Sequence, residues 1–496
     1  MNFFLTLFLV LTCAAFCIHS QRLFFRGRPR GKHGLLGAPK RTNLSKDLPK
    51  AQWMRQRLNH FNPVDTRTWK QRYFVSDKSF KPGSPVFLQL GGEGTADPVW
   101  LVEAQIASNY APRFNALSIL LEHRYYGESH PTGDMSTENL QYLTSEQALA
   151  DAAAFIDYYK QLNPLVNESK WIVFGGSYSG SLAAWMRLKY PHLVAGAVAS
   201  SAPMKAIINF KDYLAVVRNS LGSTCDAAIN DATRQLAQLL ANQEKWPAIG
   251  STFNTCDRFD GRFKNDVSNF VESLAGNFEG VVQYNKDNRD FEKVSGSNIT
   301  IDTICAIMTN ELADSALTRY AAVNKLILDV NEQNCLDYKY DKFIKSMREI
   351  EWNSSAAEGG RQWTYQTCVE FGFFQSSDLR NQPFGHFFPV EFFEKQCKDI
   401  FGPKFNLDFL RKAIKYTNTN YGGYNVKLTN VVLPNGSIDP WHALGLIHYN
   451  YSSSKSVFIQ GTAHCADMYP DSPLDPDELK NARNEIAEYI GFILKS

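Results

Sequence analysis

The chain has 496 residues, of which 44% are hydrophobic and 21% are charged, and its formal net charge is +2. These values are those of a globular protein, and the length suggests more than one hydrophobic core. The near-neutral charge hides an asymmetry, because residues 21–50 contain nine Lys and Arg against one acid. The rest of the chain therefore carries a net charge of −6. Beyond the first 20 residues no apolar run is long enough to span a membrane.

The first 50 residues differ from the rest in composition. Residues 3–18 are apolar but too short to cross a bilayer, and together with small residues near their end they predict a signal peptide over residues 1–20. Residues 21–50 are basic, rich in Gly and Pro and without periodicity, which predicts a disordered segment or a cleavable pro-segment. Lys40-Arg41 is the candidate processing site. A nucleic-acid-binding arm is the less favoured alternative.

The cysteines and glycosylation motifs agree with passage through the secretory pathway. Seven cysteines follow the predicted signal peptide. Their spacing lacks the C-x-x-C pairs of a zinc site, so disulfide bonds are expected in an oxidising compartment. Six lie between residues 225 and 397, and Cys465 is the candidate free thiol. N-glycosylation motifs occur at Asn43, Asn167, Asn298, Asn353, Asn435 and Asn450.

Apolar runs and helical patterns alternate along the first part of the chain. Strands are predicted at Val86–Leu90 and Leu117–Leu121, a helix at Ser145–Lys160 that Thr144 or Ser145 could cap, and a further strand from Trp171. This alternation favours an α/β protein with a mostly parallel sheet.

The alternation breaks at about residue 205, where the patterns become helical, and it returns near the end. There, strands are predicted at 428–433 and 455–459, followed by a closing helix at Asp477–Leu494. The simplest organisation is one α/β domain formed by residues 51–204 and 406–496, interrupted by a helical insertion at 205–405.

Ser177 directly follows an apolar strand and a glycine pair, and a helical pattern begins after it. This arrangement is typical of a nucleophile elbow, the tight turn that lifts a serine hydroxyl above the sheet. Gly175 and Gly176 provide the permissive backbone and the close approach. The usual pattern is G-x-S-x-G, and Ser179 stands here in place of the last Gly. The run alone therefore favours catalysis no more than an ordinary strand-to-helix turn.

A serine nucleophile needs a base, and the base needs an acid that orients it. In α/β-hydrolases they follow in the order Ser, Asp, His, each after a strand. Asp439 follows the predicted strand 428–433, and His464 follows the strand 455–459. Since residue type, order and position all agree, we predict that Ser177, Asp439 and His464 form a catalytic triad.

Each member of the predicted triad has an alternative. Ser179 is the other candidate nucleophile, although it falls in the first turn of the helix. Asp467 is the rival acid, but its place three residues after His464 suits a local hydrogen bond better. The rival bases are His123, His130, His442 and His448. The last two are expected on a helix after the acid, as packing or surface residues, whereas His123 could line the site.

Two backbone amides are expected to stabilise the oxyanion of the reaction. One belongs to Tyr178, directly after the nucleophile, and the other to Gly92 in the loop Gly91–Gly94. The alternative for this loop is a plain glycine-rich turn. Glu93 either binds the α-amino group of a substrate or pairs with Arg124. No metal ion or organic cofactor is expected for this chemistry.

Several motifs occur in a characteristic order. They are Glu122-His-Arg-Tyr-Tyr-Gly-Glu-Ser129, Leu143-Thr-Ser-Glu-Gln-Ala-Leu-Ala-Asp151, Gly-Gly-Ser177-Tyr, Ser200-Ser-Ala-Pro203, Asn435-Gly-x-x-Asp439-Pro-Trp441 and the His464 loop. Together they resemble the prolyl carboxypeptidase family of serine peptidases, which includes lysosomal Pro-X carboxypeptidase, dipeptidyl peptidase II and thymus-specific serine protease. The resemblance covers nearly all of residues 55–490. Gly91-Gly-Glu-Gly94 and Asp439-Pro-Trp-His442 are more similar to the thymus-specific branch, because the other two carry Asn in place of Gly92.

This resemblance implies an α/β-hydrolase fold with a helical, disulfide-bearing cap domain inserted over the site. It places the triad on Ser177, Asp439 and His464. It also implies cleavage after proline, near one end of a peptide chain. The implied disulfide pairs are Cys225–Cys305, Cys256–Cys335 and Cys368–Cys397.

We therefore predict a secreted or lysosomal serine peptidase that acts on proline-containing peptides through an acyl-enzyme. A carboxylesterase or lipase would use the same triad and is the main alternative. A non-catalytic hydrolase fold is less favoured, because no triad member is missing. Peptides are the expected partners, a homodimer is compatible with the sequence, and neither nucleic acid nor a membrane span is expected.

Overall fold

The computed structural model describes residues 23–42, 47–286, 299–312 and 315–496. The predicted signal peptide and the motifs at Asn43 and Asn298 lie outside these ranges. Within them, every helix is too short or too polar to cross a lipid bilayer.

The described residues form strands and helices in alternation at both ends of the chain. The strands are β1 (Phe24–Phe25), β2 (Arg28–Pro29), β3 (Gln52–Arg57), β4 (Thr68–Ser76), β5 (Val86–Leu90), β6 (Leu117–Leu121), β7 (Trp171–Gly176), β8 (Gly196–Ser200), β9 (Ile207–Asn209), β10 (Gly372–Phe374), β11 (Val431–Gly436), β12 (Asn450–Tyr451) and β13 (Ser454–Ile459). The helices are α1 (Ala111–Phe114), α2 (Ser145–Leu162), α3 (Tyr178–Lys189), α4 (Asp212–Leu221), α5 (Ser223–Leu240), α6 (Trp246–Phe253), α7 (Lys264–Gln283), α8 (Ile301–Met308), α9 (Ala316–Val330), α10 (Tyr340–Met347), α11 (Gly360–Gln366), α12 (Val390–Phe401), α13 (Leu407–Tyr421) and α14 (Asp477–Lys495).

Nine strands form the main sheet in the order β12-β13-β11-β8-β7-β5-β6-β4-β3. The pairs from β13 to β6 are parallel, whereas β4 with β6, β3 with β4, and β12 with β13 are antiparallel. The strands predicted at Val86–Leu90 and Leu117–Leu121 have those bounds. Thr144 caps α2, since its hydroxyl accepts a hydrogen bond from the Gln147 amide. The predicted α/β-hydrolase class is confirmed.

The central strands bury both of their faces. In β7, Trp171 and Val173 belong to the hydrophobic cluster that includes α2 and α3, whereas Ile172 and Phe174 belong to the cluster that includes α14. This alternation follows from the two-residue period of a strand. The sheet is thus covered by helices on both faces, and the ends of its parallel strands remain as the edge where a site can form.

A long insertion separates β8 from β11. It contains the helices α4–α13 and a small parallel sheet of β9 and β10, and it extends beyond the expected boundary at residue 405, because α13 still precedes β11. Its hydrophobic side chains join the cluster that covers one face of the main sheet. The disulfides are Cys225–Cys305, Cys256–Cys335 and Cys368–Cys397, the three pairs that the resemblance implies. Cys465 is buried and outside these bridges.

Residues 23–42 correct one expectation of the sequence analysis. Their composition predicts disorder, yet β1 and β2 form a hairpin whose residues are buried. Leu35 is also fully buried, and so are the side chains of Arg26 and Arg28. The segment is ordered because the rest of the protein supplies a groove that it fills, which its own composition does not reveal.

The glycosylation motifs in the described ranges differ in accessibility. Asn167, Asn353 and Asn450 are exposed. Asn435 lies within β11 with 1% of its surface exposed, so this position is closed to a glycan in the folded protein.

Candidate active site

Ser177 occupies a strained turn between β7 and α3. Its backbone angles are φ 59° and ψ −130°, a conformation that costs a non-glycine residue on the order of 1–3 kcal/mol. The turn needs small neighbours, because a Cβ atom on Gly175 would overlap the Ser179 carbonyl. The Ser177 amide donates to the Ser200 carbonyl of β8 at 2.9 Å, which holds the turn at the end of the sheet. This is the geometry of a nucleophile elbow.

Ser179, the rival nucleophile, is engaged within the turn. Its hydroxyl oxygen accepts a hydrogen bond from the Gly176 amide at 3.1 Å, and the hydroxyl donates to the Gly176 carbonyl at 2.8 Å. The serine that replaces the usual glycine therefore stabilises the turn through two hydrogen bonds with the Gly176 backbone. Its hydroxyl is directed back at the strand, which favours Ser177 as the reactive group.

Asp439 and His464 form a buried pair. Asp439 follows β11, His464 follows β13, and the Asp439 Oδ2 atom lies 2.9 Å from His464 Nδ1. Neither side chain is exposed. Burial lowers the pKa of His464, but the charge and hydrogen bonding of Asp439 and Cys465 together outweigh it and raise that pKa well above its ordinary value. The pair therefore has the contact by which an acid orients a histidine.

The loop that carries His464 rests on the elbow. Cys465 Sγ lies 2.9 Å from the position that a Cβ atom on Gly176 would take. The Cys465 amide also donates to Ser201 Oγ at 2.9 Å. Gly176 and Cys465 are the direct neighbours of Ser177 and His464, so the loop of the predicted base is in contact with the turn of the predicted nucleophile.

The loop Gly91–Gly94 lies beside the first turn of α3. A Cβ atom on Gly92 would lie 3.4 Å from Ser179 Cβ. The Gly91 amide donates to the Leu121 carbonyl at 2.8 Å, which anchors the loop to the end of β6. The two candidate oxyanion donors, the amides of Tyr178 and Gly92, are thus on neighbouring segments.

Glu93 lies in this loop with 2% of its surface exposed. Its Oε1 atom accepts a hydrogen bond from the Leu35 amide at 2.8 Å, and burial raises the pKa of its carboxyl group. The expected alternative partner, Arg124, forms a buried ion pair with Asp151 at 2.6 Å instead. Pairing of Glu93 with Arg124 is therefore wrong.

The rival acid has a different partner. Asp467 accepts a hydrogen bond from Ser200 Oγ at 2.5 Å, and burial raises its pKa to about 6. The expected hydrogen bond is therefore not local, because Ser200 lies in β8, 267 residues away in the chain.

The rival bases are dispersed. His123 is buried beside the elbow, where its Nε2 lies 3.0 Å from Tyr178 Oη, and burial lowers its pKa to about 4. His130 stacks on Trp352 at a ring distance of 3.8 Å, and His448 is exposed. His442 lies in the short 3₁₀ turn Pro440–Leu444, which replaces the expected helix.

One residue that supports the site, Gln283, carries no signal in the sequence. Gln283, the last residue of α7, accepts at its backbone carbonyl from the His464 amide at 2.9 Å. Its side-chain Oε1 accepts from Trp441 Nε1, also at 2.9 Å. The insertion therefore holds both loops of the Asp439–His464 pair. Because these contacts join distant parts of the chain, no local pattern predicts them.

Across the ranges that the structure describes, no three His, Cys, Asp or Glu side chains are grouped so that they could hold a metal ion. The reactive arrangement consists of side chains and backbone amides.

Comparison with known proteins agrees with this geometry. The family description Serine carboxypeptidase S28 matches residues 56–486. The chain belongs to this family.

It is similar to the human Thymus-specific serine protease, with 34% identity over 90% of this chain and 87% of that protein. The mouse Thymus-specific serine protease is also 34% identical, over 90% and 88% of the two chains. The human Lysosomal Pro-X carboxypeptidase is 28% identical over 87% of this chain and 86% of that protein. As a member of the S28 family, the protein is a serine-type peptidase.

Proposed function

We propose that this S28 peptidase is an exopeptidase that hydrolyses proline-containing peptides, with Ser177 as its nucleophile. The observation that carries the proposal is the Asp439–His464 pair, 2.9 Å apart, together with the contact of the His464 loop with the strained turn of Ser177. A positive φ at a serine between a strand and a helix is costly, and such strain persists where the surrounding structure maintains it for function.

The chemistry follows from these positions. Ser177 Oγ attacks the carbonyl carbon of the substrate while His464 Nε2 takes the hydroxyl proton, and Asp439 holds the imidazole through Nδ1. The amides of Tyr178 and Gly92 donate to the resulting oxyanion. When the C–N bond breaks, His464 gives the proton to the leaving amine. A water molecule then attacks the acyl-enzyme, with His464 again as base, and releases the acid and Ser177.

The substrate class rests on the relatives and on the cap. One relative is named a Pro-X carboxypeptidase. In this protein Gln283 of the insertion bonds to Trp441 and to the His464 amide, and this contact of the cap with the triad loops supports a site that accepts only the ends of peptide chains. Glu93, a buried carboxylate in the loop next to the elbow, is the proposed ligand for the α-amino group of a substrate.

The proposed location is the secretory pathway, as a secreted or lysosomal glycoprotein. The support is the apolar N-terminal stretch, three disulfide bonds and the similarity to a lysosomal relative. Exposed motifs at Asn167, Asn353 and Asn450 could carry glycans. Digestion of the purified protein with an N-glycosidase would lower its apparent mass if they do.

The first test compares Ser177→Ala with Ser179→Ala. Ser177→Ala should abolish both labelling by a fluorophosphonate probe and hydrolysis of a proline-peptide library read by mass spectrometry at pH 5 and pH 7. Ser179→Ala should still be labelled. Persistent labelling of Ser177→Ala would refute the nucleophile, and turnover of short esters but of no peptide would favour an esterase.

A further inference from the structure

Residues 23–42 run across the candidate active site, between the loops of the main sheet and the helical insertion. We propose that this segment is an intramolecular inhibitor that fills the substrate groove and is released by cleavage at Lys40-Arg41. The inference rests on the proposed function, because it assigns the groove to the substrate of Ser177. Composition alone predicts a disordered or removable segment, whereas its contacts favour an inhibitory role.

The tip of the β1–β2 hairpin covers the acid side of the site. Gly27 has a positive φ of 69°, and a Cβ atom there would overlap the ring of Trp441. The Gly27 carbonyl accepts a hydrogen bond from Gln283 Nε2 at 2.9 Å. Trp441 is two residues from Asp439, and its ring centroid lies 6.4 Å from that of His464. The hairpin therefore packs on the side chains that support the Asp439–His464 pair.

The following residues cover the nucleophile side. The Thr95 amide donates to the Lys32 carbonyl at 2.7 Å, and the Leu35 amide donates to Glu93 Oε1 at 2.8 Å. The Leu36 side chain lies 2.9 Å from the position that a Cβ atom on Gly176 would take. The segment thus follows the candidate oxyanion loop as far as the elbow, along a path that a peptide substrate would need.

The contacts of Leu35 resemble those of a bound substrate. Its amide is held by the carboxylate that we assign to an α-amino group, and its carbonyl accepts from Tyr284 Oη at 2.9 Å. The ring of Tyr284 lies 6.1 Å from that of His464. A substrate bound in the open groove would take over these polar atoms, so that segment and substrate compete for them.

The burial of two guanidinium groups weakens the binding of the segment and so favours its release. Arg26 donates to Gln396 Oε1 at 3.0 Å, to the Phe393 carbonyl at 3.3 Å and to Thr367. Arg28 donates to the Glu358 carbonyl at 2.6 Å. Among the described residues, neither forms an ion pair with a carboxylate. Burial is the dominant influence on both charges, and the nearby carboxylates of Glu93 and Glu358 offset it only in part for Arg28, so the segment is held less tightly than an apolar one of equal size.

The processing site lies where a protease can reach it. Tyr469 Oη donates to the Gly37 carbonyl at 2.7 Å, and three residues later Lys40 is exposed. Lys40-Arg41 is the only Lys-Arg pair in the sequence. Cleavage there would detach the hairpin and the stretch over the elbow together.

The test uses the full chain before and after cleavage by an endoprotease specific for Lys-Arg pairs. The Lys40→Ala/Arg41→Ala variant should stay intact and react slowly with the fluorophosphonate probe. Cleavage of the natural chain and removal of the peptide should raise the labelling rate and peptide hydrolysis at least about tenfold, the factor expected if the closed state is favoured by 1.4 kcal/mol. N-terminal sequencing would locate the cut.

A matched pair of glycine variants tests the groove directly. A synthetic peptide of residues 23–41 should inhibit the cleaved enzyme, and the same peptide with Gly27→Ala should not, because the new Cβ meets Trp441. Gly31→Ala is the control, since Gly31 also has a positive φ of 99° but nothing lies within 4 Å of its Cβ position.

The outcomes separate the two proposals. Equal labelling of the intact and cleaved chains, or failure of the natural peptide to inhibit, would overturn the inhibitor while leaving Ser177 as nucleophile. Absence of labelling in both forms would overturn the proposed function itself. Because the peptide assay uses the unmutated enzyme, a folding defect of a variant chain cannot obscure the result.

Discussion

The sheet domain and the helical insertion contribute to the site in different ways. The sheet domain supplies Ser177, Asp439 and His464, each at a strand end whose position follows from the local sequence. The insertion supplies Gln283, whose contacts hold the loops of the acid and the base. The reactive groups therefore come from local turns, whereas the support and covering of the site come from packing between distant segments.

The two regions also differ in how they are stabilised. The sheet is held by strand pairing and by apolar clusters on both faces. Within the described part of the chain, the disulfides all lie in the insertion. Substitutions in the sheet domain at the site should therefore affect chemistry with little change in stability, and substitutions in the insertion should do the opposite.

The largest effect is expected from Asp439→Asn. The amide would orient the wrong tautomer of His464, and kcat should fall by about 10⁴, as in other serine peptidases. Asp467→Asn is the matched control, because an amide oxygen can still accept from Ser200 Oγ. Steady-state kinetics with a proline peptide would measure both. Equal losses in the two variants would contradict the choice of Asp439 as the acid.

Removal of a disulfide should lower the stability of the protein and leave the reactivity of the active site unchanged. Replacing Cys256 and Cys335 by Ser opens a loop of sequence separation 79 and should lower the free energy of unfolding by about 2–5 kcal/mol. The folded variant should still react with the fluorophosphonate probe.

The third disulfide is the control for loop length. Its cysteines are 29 residues apart, so replacing Cys368 and Cys397 should cost about 1 kcal/mol less if loop entropy dominates. Denaturant unfolding of both variants would show the order. A loss of probe reactivity in proportion to stability would contradict the division of roles between the two regions.

Glu370 connects the insertion to the sheet domain and makes stability depend on pH. Its Oε1 atom accepts from Ser145 Oγ at 2.7 Å, and burial raises its pKa from 4.5 to about 7. The folded state therefore retains a proton that the unfolded chain releases above pH 4.5. Its contribution to stability is complete below pH 4.5 and is lost as the pH rises through about 7, a change of about 3 kcal/mol.

Glu370→Gln should remove this dependence, because the amide oxygen can still accept from Ser145. The difference in unfolding free energy between wild type and variant should shift in favour of the variant from pH 4.5 to pH 8. Glu391→Gln, at an exposed position of α12, is the control and should leave the pH profile unchanged. If the unfolding free energies of the wild type and of Glu370→Gln changed with pH in the same way, the assignment of the pH dependence to Glu370 would be wrong.

The smallest effect is expected from Glu93→Gln, measured on the cleaved enzyme. Loss of the charge should raise KM about tenfold for peptides with a free amino end, the size of a charge-assisted hydrogen bond. Peptides with an acetylated amino end provide the control within one protein. An equal change for both peptide series would indicate that Glu93 positions the loop rather than the substrate.

Much of the site could be predicted from strand ends. Glycines before Ser177, and polar residues after the strands that carry Asp439 and His464, are local patterns with a fixed geometric meaning. The motif around Ser179 was less informative, because its role as an internal partner of Gly176 depends on the turn geometry. The partners of Glu93 and Arg124 could not be predicted from the sequence, since each contact joins segments far apart in the chain.

The sequence by itself determined the α/β order of elements, the candidate triad and the family, because each depends on short patterns or on motif order. The tertiary structure decided that Gln283 supports the His464 loop and that residues 23–42 lie in the groove. A basic, glycine-rich segment has no hydrophobic period of its own. It becomes ordered only because the sheet and the insertion together provide carbonyl acceptors, apolar pockets and space for Gly27 against Trp441.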